Sequence, residues 1–357
     1  MPEVRASLRR LGWSDQYELE FAALEQEGLE PARVVAQHRG AYVVHDGDGD
    51  AWAEVAGRLR HAAASPADFP AIGDWVAIRR RPDGEGAIVH AVLPRRTVFS
   101  RKTAWTETVE QVLAANVDVA FLVSTLTDEL SPRRLERYLT TAWESGAEPV
   151  IVLNKADLCA EPLAPVAGVE AVAIGVPIVL TSAETGEGID QLEAWFAGDR
   201  TGALLGSSGV GKSSLVNRLL GEERQETHDI RSDGVRGRHT TTRRELIPLS
   251  GGGLILDTPG MRELQLWEAD EGFDSTFRDV AELASQCRFN DCAHDTEPGC
   301  AVREAVSTGV LEPERLASYR KLQSELAHLE RRVDKRLAAD ERKKRRNFAR
   351  SRRKAKW

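Results

Sequence analysis

The sequence predicts a multidomain α/β protein in which a small β-barrel, a parallel-sheet domain and a helical domain follow one another. Short alternating segments, separated by Gly- and Asp-rich turns, fill much of the N-terminal quarter. Apolar, β-branched runs then alternate with helical periodicity, which is typical of a parallel sheet covered on both faces. The remaining sequence is polar and helical around a cluster of cysteines. A chain of 357 residues has room for two or three such domains.

Residues 1–31 are predicted to be a polar, helical extension, and residues 32–97 a β-barrel. The barrel strands are predicted at residues 33–38, 40–45, 51–57, 75–80 and 86–93. About five short strands in so short a span favour a small barrel of the OB or SH3 type. The Ala-rich stretch 61–69, between the third and fourth strands, is predicted to be a mobile loop.

Residues 98–267 are predicted to form the parallel-sheet domain. Its buried strands are predicted at residues 117–123, 149–153, 176–180, 201–205 and 254–256, with a helix at 132–144. Residues 268–341 are predicted to be a helical domain, and residues 342–357 a basic tail.

A phosphate-binding loop is predicted where strand 201–205 meets the next helix. The segment from Gly206 to Ser213 matches G-x-x-x-x-G-K-[ST], whose inward-pointing N–H groups cradle phosphate oxygens at a helix N-terminus. Lys212 is expected to reach the β- and γ-phosphates, and Ser213 to ligate Mg²⁺. The phosphate-contacting residues are expected to be Gly206, Ser207, Ser208, Gly209, Val210, Gly211, Lys212, Ser213 and Ser214.

A second motif, Asn154-Lys155-Ala156-Asp157, favours guanine as the base. It follows a buried strand, so it lies at the edge of the sheet where α/β proteins bind ligands. The Asp157 carboxylate can accept hydrogen bonds from guanine N1–H and N2–H₂ together, whereas adenine has no exocyclic donor there. The aliphatic stem of Lys155 can lie over the base.

Two more short motifs follow strands at the same edge. Thr181-Ser182-Ala183 fits the loop whose backbone N–H meets guanine O6. Asp257-Thr258-Pro259-Gly260 fits D-x-x-G, with Asp257 facing the Mg²⁺ shell and the Gly260 amide facing the γ-phosphate. Each tetrapeptide is weak alone, but together with the phosphate loop they predict a GTP site.

The order of these motifs is unusual. Ordinary small GTPases place the phosphate loop first and the base-recognition motifs last, whereas here both base motifs precede the phosphate loop. Because the site is assembled in space, a circular permutation leaves each motif loop in its place on the sheet. The D-x-x-G segment then leads directly into the C-terminal domain, so nucleotide state could be transmitted there.

Residues 222–244 are polar and aperiodic, and are predicted to be a nucleotide-dependent switch loop. A threonine in it is expected to ligate Mg²⁺; we select Thr241, although the sequence does not separate it from its neighbours. Met261 stands where Ras-type enzymes carry a water-orienting glutamine, so hydrolysis is either very slow or assisted by another residue. His239 is the nearest candidate, the alternative being an exposed histidine with no catalytic role.

The cysteine cluster predicts a metal site. Cys287-x₄-Cys292-x-His294-x₅-Cys300 supplies three thiolates and one imidazole, the ligand set of a closed structural Zn²⁺ site. The alternative is a set of buried reduced cysteines with an incidental histidine. Cys159 lies apart from this cluster and is expected to be a free thiol.

Composition narrows the class of protein further. Hydrophobic residues make up 41% and charged residues 29%, which excludes disorder, and no apolar run approaches the ~20 residues of a membrane span. The N-terminus has no apolar signal core, so we expect a cytosolic protein with no membrane partner.

Ten of the 48 Lys and Arg residues lie in residues 342–357, which leaves 38 against 56 acidic residues elsewhere. This asymmetry indicates either a polyanionic partner met by the tail or a solvated end.

Taken together, the barrel, the NKAD–TSA–GSSGVGKSS–GRHTTT–DTPG order and the cysteine spacing resemble the ribosome small-subunit-dependent GTPase A family (RsgA, also called YjeQ). The resemblance covers nearly the whole chain. It implies an OB-fold barrel, a circularly permuted P-loop GTPase domain and a zinc-binding helical domain. It also implies binding to the small ribosomal subunit and its rRNA, a late role in subunit maturation, and GTP hydrolysis that is slow alone and stimulated by the subunit. The family's proposed catalytic histidine corresponds to His239.

From the residues and the resemblance we expect a monomer that binds GTP and GDP, one structural Zn²⁺, and Mg²⁺ with GTP. Two other functions stay open on the sequence. One is a large-subunit assembly GTPase with the same permuted core, against which the leading barrel and trailing cysteine cluster argue. The other is a non-enzymatic RNA-binding protein with a vestigial nucleotide site, against which the intact Lys212, Ser213 and Asp257 argue.

Overall fold

The computed structural model describes residues 2–38, 40–82, 84, 86–103, 109–127, 130–221, 244–257 and 270–327. An eleven-stranded sheet runs through these ranges and joins the barrel to the central domain. Among the described helices, none has both the length and the apolar character that crossing a membrane requires.

Two helices precede the barrel, α1 (Pro2–Arg10) and α2 (Asp15–Gln26). The Ser14 hydroxyl caps α2 by accepting a hydrogen bond from the Tyr17 N–H at 3.5 Å. The expected helical extension is therefore present, but the first strand begins at Glu30 and takes in Pro31.

The predicted barrel is confirmed. Its strands are β1 (Glu30–Gln37), β2 (Tyr42–His45), β3 (Asp50–Val55), β4 (Trp75–Arg80) and β5 (Ala87–Val92). The sheet order β1-β2-β3-β5-β4 closes because β4 pairs back onto β1. This closure gives the five-stranded OB-like barrel, with small and β-branched side chains such as Val34, Val44 and Ile78 filling its core.

The structure differs from the prediction at residues 61–69. The helix α3 (Gly57–Ala62) ends in this stretch, and Pro66–Asp68 forms a 3₁₀ turn capped by Ser65. The Asp68 carboxylate accepts hydrogen bonds from the Ala64 and Ser65 N–H groups at 2.8 Å. Ser-Pro pairs mark loops, but they are also helix-capping residues, and that second role prevails here.

The central domain has the parallel sheet that the apolar runs predict. A hairpin of β6 (Val98–Thr103) and β7 (Val109–Ala115), which the sequence did not predict, leads into it. The strands of the domain are β8 (Val119–Thr125), β9 (Glu148–Asn154), β10 (Ile178–Leu180), β11 (Thr201–Leu205), β12 (Arg244–Pro248) and β13 (Leu254–Asp257).

Five of these strands run parallel in the order β10-β9-β8-β11-β13, and β12 pairs antiparallel with β13. Parallel strands have their carboxyl ends at one edge, so every motif that follows a strand lies there. At the far side β12 pairs with β1, through Ala36 opposite Glu245 and Gln37 opposite Arg244. The barrel strands therefore form one end of the eleven-stranded sheet, next to β12.

Helices cover both faces of the parallel sheet. They are α4 (Pro132–Ser145), α5 (Leu163–Glu170), α6 (Ile189–Glu193) and α7 (Lys212–Leu220). Leu135 and Leu139 of α4 belong to the core on one face, whereas Leu192 and Leu215 belong to the core on the other. This arrangement explains why β8 is buried at every residue and reads as a continuous apolar run.

An aromatic cluster fixes the N-terminal extension to the barrel. Trp13 stacks on Tyr17 with ring centroids 5.6 Å apart, and meets Trp75 of β4 edge-on at 4.7 Å. Phe21 also meets Trp13 edge-on. Since Tyr17, Phe21 and Trp75 are fully buried, the extension belongs to the folded core and not to a loose tail.

A buried arginine joins the extension, the barrel and the central domain. Arg33 donates hydrogen bonds to the carbonyls of Leu11, of Gly73 at 3.3 Å and of Asn116 at 3.0 Å. Burial lowers the pKa of Arg33 to about 10, which still leaves the guanidinium charged near neutral pH. Backbone carbonyls solvate this charge in place of water.

The C-terminal helices are α8 (Asp270–Thr276), α9 (Arg278–Ala284), α10 (Ala301–Ser307) and α11 (residues 313–327). The first of them packs on α4, where Gly272 lies so close to the Thr140 carbonyl that no side chain would fit. The hydroxyls of Thr140 and Thr276 are hydrogen-bonded at 3.0 Å. The C-terminal region is therefore docked directly on the helix that follows β8.

Arg315 of α11 holds the C-terminal helices against α4 through a buried ion-pair network. Its guanidinium contacts Glu136 of α4 at 2.8 Å and Asp279 of α9 at 2.9 Å, and it donates to the Thr276 carbonyl at 2.7 Å. The Arg315 and Glu136 side chains are only 5% and 3% exposed. Burial raises the pKa of Glu136, and the nearby Arg315 charge opposes this rise.

Replacing Arg315 with methionine is expected to destabilise the protein by about 3–5 kcal/mol, because the Glu136 carboxylate loses its buried partner. Glu136→Gln is expected to destabilise the protein less, since Arg315 keeps its ion pair with Asp279. Urea unfolding followed by circular dichroism measures both effects. The double variant Glu136→Gln/Arg315→Met is expected to recover part of the loss; an unchanged urea midpoint for Arg315→Met would show that the pair contributes nothing.

Candidate functional site

The phosphate-loop sequence forms a tight turn between β11 and α7, as its glycines require. Gly211 has φ +94°, and a side chain there would overlap the Asn154 amide. A side chain at Gly206 would overlap the Val123 carbonyl. These two glycines therefore let the loop lie flat against its neighbouring strands.

Lys212 spans the mouth of this loop. Its ammonium donates to the carbonyls of Gly206 at 2.7 Å and Ser207 at 2.5 Å, and the residue is largely buried. Ser213 and Ser214 follow it in the first turn of α7, where both are half-buried. The geometry puts a cation and a hydroxyl beside the N–H groups of the loop, an arrangement suited to a phosphate with a hard metal ion.

Asn154 joins three of the predicted motifs. It is 1% exposed, and its side-chain N–H donates to the Val210 carbonyl of the phosphate loop at 2.9 Å. Its side-chain oxygen accepts from the Ala183 N–H at 3.1 Å and from the Thr181 hydroxyl at 3.3 Å. The phosphate loop and both base motifs are therefore held together at one point, although 56 residues separate Asn154 from Val210.

The rest of the Asn154 motif is less buried than Asn154 itself. Lys155 adopts a left-handed conformation with φ +63°, which is uncommon for a residue with a side chain and turns the chain into the 3₁₀ turn Ala156–Leu158. The Ala156 N–H donates to the Thr181 carbonyl at 3.0 Å. Asp157 is exposed, so its carboxylate is available to a ligand.

The second base motif is more enclosed than its sequence suggests. Thr181 and Ser182 are fully buried, and the Ser182 hydroxyl accepts from the Thr185 N–H at 3.1 Å. Of the backbone N–H groups of this loop, from which a contact with guanine O6 is expected, that of Ala183 donates to the Asn154 side chain in this structure. This motif therefore braces Asn154 as well as lining the edge of the site.

The remaining predicted residues of the site are only partly described. The backbone of Asp257 ends β13, which runs parallel to β11, so it reaches the same edge as the phosphate loop. His239, Thr241 and Gly260 lie outside the described residues.

The four predicted metal ligands meet in the C-terminal region. The donor atoms of Cys287, Cys292, His294 and Cys300 all lie within 4.8 Å of one another. His294 Nδ1 is 3.6 Å from the Cys287 sulfur and 3.5 Å from the Cys300 sulfur, and these two sulfurs are 3.9 Å apart. With ordinary Zn–S and Zn–N bonds, the edges of a tetrahedral site are about 3.8 Å between sulfurs and about 3.5 Å between sulfur and nitrogen. The donor set and its spacing therefore fit a tetrahedral metal ion.

Local backbone features shape this cluster. His294 has φ +59°, and Gly299 has φ +72° at a position where a side chain would press against that of Arg288. The Arg320 guanidinium of α11 donates to the His294 carbonyl. Burial lowers the pKa of His294, so the imidazole is neutral and can act as a ligand at neutral pH.

Two arginines that the sequence analysis did not select also touch functional elements. Arg315 ties α4 to the C-terminal helices, and Arg134 of α4 donates to the Ser207 hydroxyl of the phosphate loop at 3.3 Å. The sequence does contain a signal for Arg134, because this residue lies in the first turn of the helix that follows β8, at the edge of the sheet where the motifs lie. The partner of Arg315 lies 179 residues away, so no local pattern indicates it.

Comparisons with known proteins agree with this geometry. The family model described as RsgA GTPase matches residues 92–267. The small ribosomal subunit biogenesis GTPase RsgA of Opitutus terrae is 49% identical over 345 residues, which cover 94% of each chain. Its counterpart of that name from Streptomyces coelicolor is 46% identical over 341 residues, covering 95% of this chain and 92% of the relative.

Solved structures give the same result. The crystal structure of YjeQ from Thermotoga maritima matches with a TM-score of 0.64 and 30% identity, covering 84% of this chain and 99% of that one. YloQ, described as a circularly permuted GTPase, matches with a TM-score of 0.62 and 25% identity over 84% of this chain and 96% of its own. With relatives nearly half identical along almost its whole length, the chain belongs to the RsgA family of circularly permuted GTPases.

Proposed function

We propose that the edge where the three motifs meet binds GTP and GDP. The observation that carries this proposal is the buried Asn154 side chain, which contacts both the phosphate loop and the Thr181-Ser182-Ala183 loop. A base held beside Asn154 lies within reach of the exposed Asp157 carboxylate and the Lys155 stem. Guanine satisfies that carboxylate with two donors, whereas adenine leaves it unpaired.

The phosphates would lie against the loop from Gly206 to Ser214. Lys212 would exchange its two carbonyl partners for oxygens of the β- and γ-phosphates. The Ser213 hydroxyl, with Asp257 and Thr241, would hold Mg²⁺, and oxygen donors suit this hard ion. The bound ion would supply charge neutralisation on the phosphates.

His239 is proposed to orient the attacking water. The Gly260 amide would face the γ-phosphate, and Met261 beside it offers no hydrogen-bonding group for water. A slow basal rate follows from this, with His239 brought into place when the switch segment docks on its partner.

We infer that the partner is the small ribosomal subunit, which the protein assists in late maturation and which stimulates its GTP hydrolysis. The relatives from Opitutus terrae and Streptomyces coelicolor are both named as small ribosomal subunit biogenesis GTPases. The barrel is a common platform for RNA, and the basic segment 342–357 would contact phosphates, while the acidic remainder disfavours nonspecific RNA binding. The proposed units are 1–31, 32–97, 98–267, 268–341 and 342–357, in a cytosolic monomer.

The metal of the Cys287–Cys292–His294–Cys300 cluster is proposed to be Zn²⁺. Three thiolates with one imidazole at tetrahedral spacing are the donors that zinc prefers. With four protein ligands, no open position is left for a substrate. The metal would therefore fold the segment 285–300 and take no part in hydrolysis.

The proposal is tested by GTP turnover of the full chain with small subunits, with large subunits and alone. Many-fold stimulation by small subunits only is expected. Equal rates in all three would remove the ribosomal role, and stimulation by large subunits only would favour the large-subunit alternative. ATP in place of GTP should give no turnover.

Lys212→Ala is expected to lower subunit-stimulated turnover by at least about 100-fold, because the phosphates lose their one buried ammonium in the loop. The same turnover assay measures this, with the exposed Lys321→Ala as a charge-matched control. Equal rates for Lys212→Ala and the wild type would favour a vestigial nucleotide site.

A further inference from the structure

Arg134 lies over the phosphate loop in the first turn of α4. It is exposed, and its Nη1 donates to the Ser207 hydroxyl at 3.3 Å. The two residues are 73 positions apart in the chain, so the contact arises from the sheet order. α4 follows β8, β8 pairs with β11, and the phosphate loop follows β11.

Lys212 indicates which end of the phosphates of a nucleotide this contact would face. Its ammonium donates to the Ser207 carbonyl, the same residue whose hydroxyl accepts from Arg134. In this loop motif the lysine serves the β- and γ-phosphates and not the base end. Among the described residues, Arg134 therefore adds a second cation beside Lys212, at the end of the loop that would face the terminal phosphates.

The helix that carries Arg134 is held firmly. Leu135 and Leu139 are buried under the sheet, and Glu136 is paired with Arg315 at 2.8 Å. The α4 backbone is thereby positioned relative to the loop, whereas the long Arg134 side chain is exposed and can turn from Ser207 toward a ligand. An oxygen of a terminal phosphate would offer that guanidinium a stronger, charge-assisted hydrogen bond than the Ser207 hydroxyl does.

We propose that Arg134 contacts the terminal phosphate of bound GTP and stabilises the charge that develops on it during hydrolysis. This inference rests on the proposed nucleotide site. In the reaction the water oxygen bonds to the γ-phosphorus, and the bond to the β–γ bridging oxygen breaks with its electron pair leaving on GDP. The proton lost by water passes to the phosphate product or to solvent, and Arg134 stays protonated throughout.

Replacing Arg134 is expected to weaken the binding of GTP but not that of GDP. Arg134→Ala should lower affinity for a non-hydrolysable GTP analogue by about 10-fold and kcat by about 10- to 100-fold, less than the roughly 100- to 1,000-fold for a buried oxyanion donor because the Arg134 side chain is exposed. GDP affinity should stay within about 2-fold, since GDP has no γ-phosphate. Arg134→Lys keeps the charge but not the forked donors, and should recover only part of kcat.

Fluorescent-nucleotide titration and single-turnover hydrolysis test the proposal, with Arg133→Ala as the control from the same turn of α4. Arg133→Ala should behave as the wild type, and circular dichroism checks that each variant is folded. An unchanged ratio of GTP-analogue to GDP affinity in Arg134→Ala, or an equal loss in Arg133→Ala, would overturn the inference and leave the nucleotide site intact. Failure of the wild type to bind GDP at all would instead overturn the nucleotide site, and Arg134 with it.

Discussion

Asn154→Ala is expected to weaken GDP and GTP binding by at least about 100-fold. The side chain is buried and makes one hydrogen bond to the phosphate loop and two to the Thr181-Ser182-Ala183 loop. Alanine would leave the Val210 carbonyl and the Ala183 N–H without their partner, at about 1–3 kcal/mol for each buried group. The two loops therefore relax apart in the free protein, and bringing them back together on binding costs about 3 kcal/mol, which corresponds to roughly 100-fold in affinity.

The effect should fall on affinity more than on folding, because the parallel sheet beneath Asn154 has its own core. Titration with a fluorescent guanine nucleotide measures the affinity, and thermal unfolding without nucleotide measures the stability. Gln191→Ala, which removes an exposed amide from α6, is the matched control and should change neither. Wild-type affinity in Asn154→Ala would mean that the two loops need no common anchor, and the proposed site would lose its main support.

The acceptor and donor functions of Asn154 can be separated with Asn154→Asp. Aspartate still accepts from Ala183 and Thr181 but presents an oxygen to the Val210 carbonyl where the amide had a donor. We therefore expect a loss of affinity comparable to that of alanine. Near-normal binding by Asn154→Asp would show that the contact between Asn154 and the phosphate loop is dispensable.

Much of this fold was predictable because its signals are local. The strand Thr201–Leu205, the glycines at 206 and 211 and the helix from Lys212 are consecutive, and the structure confirms this strand–loop–helix order. The continuous apolar run of β8 likewise predicted a strand buried on both faces. The cysteine spacing predicted a cluster that the structure brings together.

The parts that the sequence did not predict depend on contacts between distant segments. The pairing of β12 with β1 joins residues more than 200 positions apart, and strand register leaves no local trace in a sequence. The aromatic packing of Trp13 on Trp75 and the pairing of Arg315 with Glu136 are of the same kind. The structure brings Asn154, the phosphate loop and the Thr181-Ser182-Ala183 loop together, but the role of Asn154 as their anchor depends on contacts between distant segments. The assignment of these motif residues to GTP binding stays a prediction.

Cys292→Ser is expected to abolish stoichiometric zinc binding and unfold the segment around it. The residues between α9 and α10 form turns and bends only, so few backbone hydrogen bonds hold them. Structural zinc sites contribute about 10–16 kcal/mol of binding free energy in small domains, far more than these turns supply. Metal analysis should find one zinc per wild-type chain and none in the variant.

Cys159→Ser is the matched control, because it makes the same chemical change in a cysteine that lies outside the cluster. It should keep one zinc per chain. Limited proteolysis should cut Cys292→Ser between residues 285 and 300 at a protease dose that leaves Cys159→Ser whole. Guanine-nucleotide affinity should be retained in both variants, because α4 and the phosphate loop pack in two cores that are both separate from that of the C-terminal helices. A zinc-free wild type that resists the protease would show that packing alone holds the cluster, and the metal would then have no structural role.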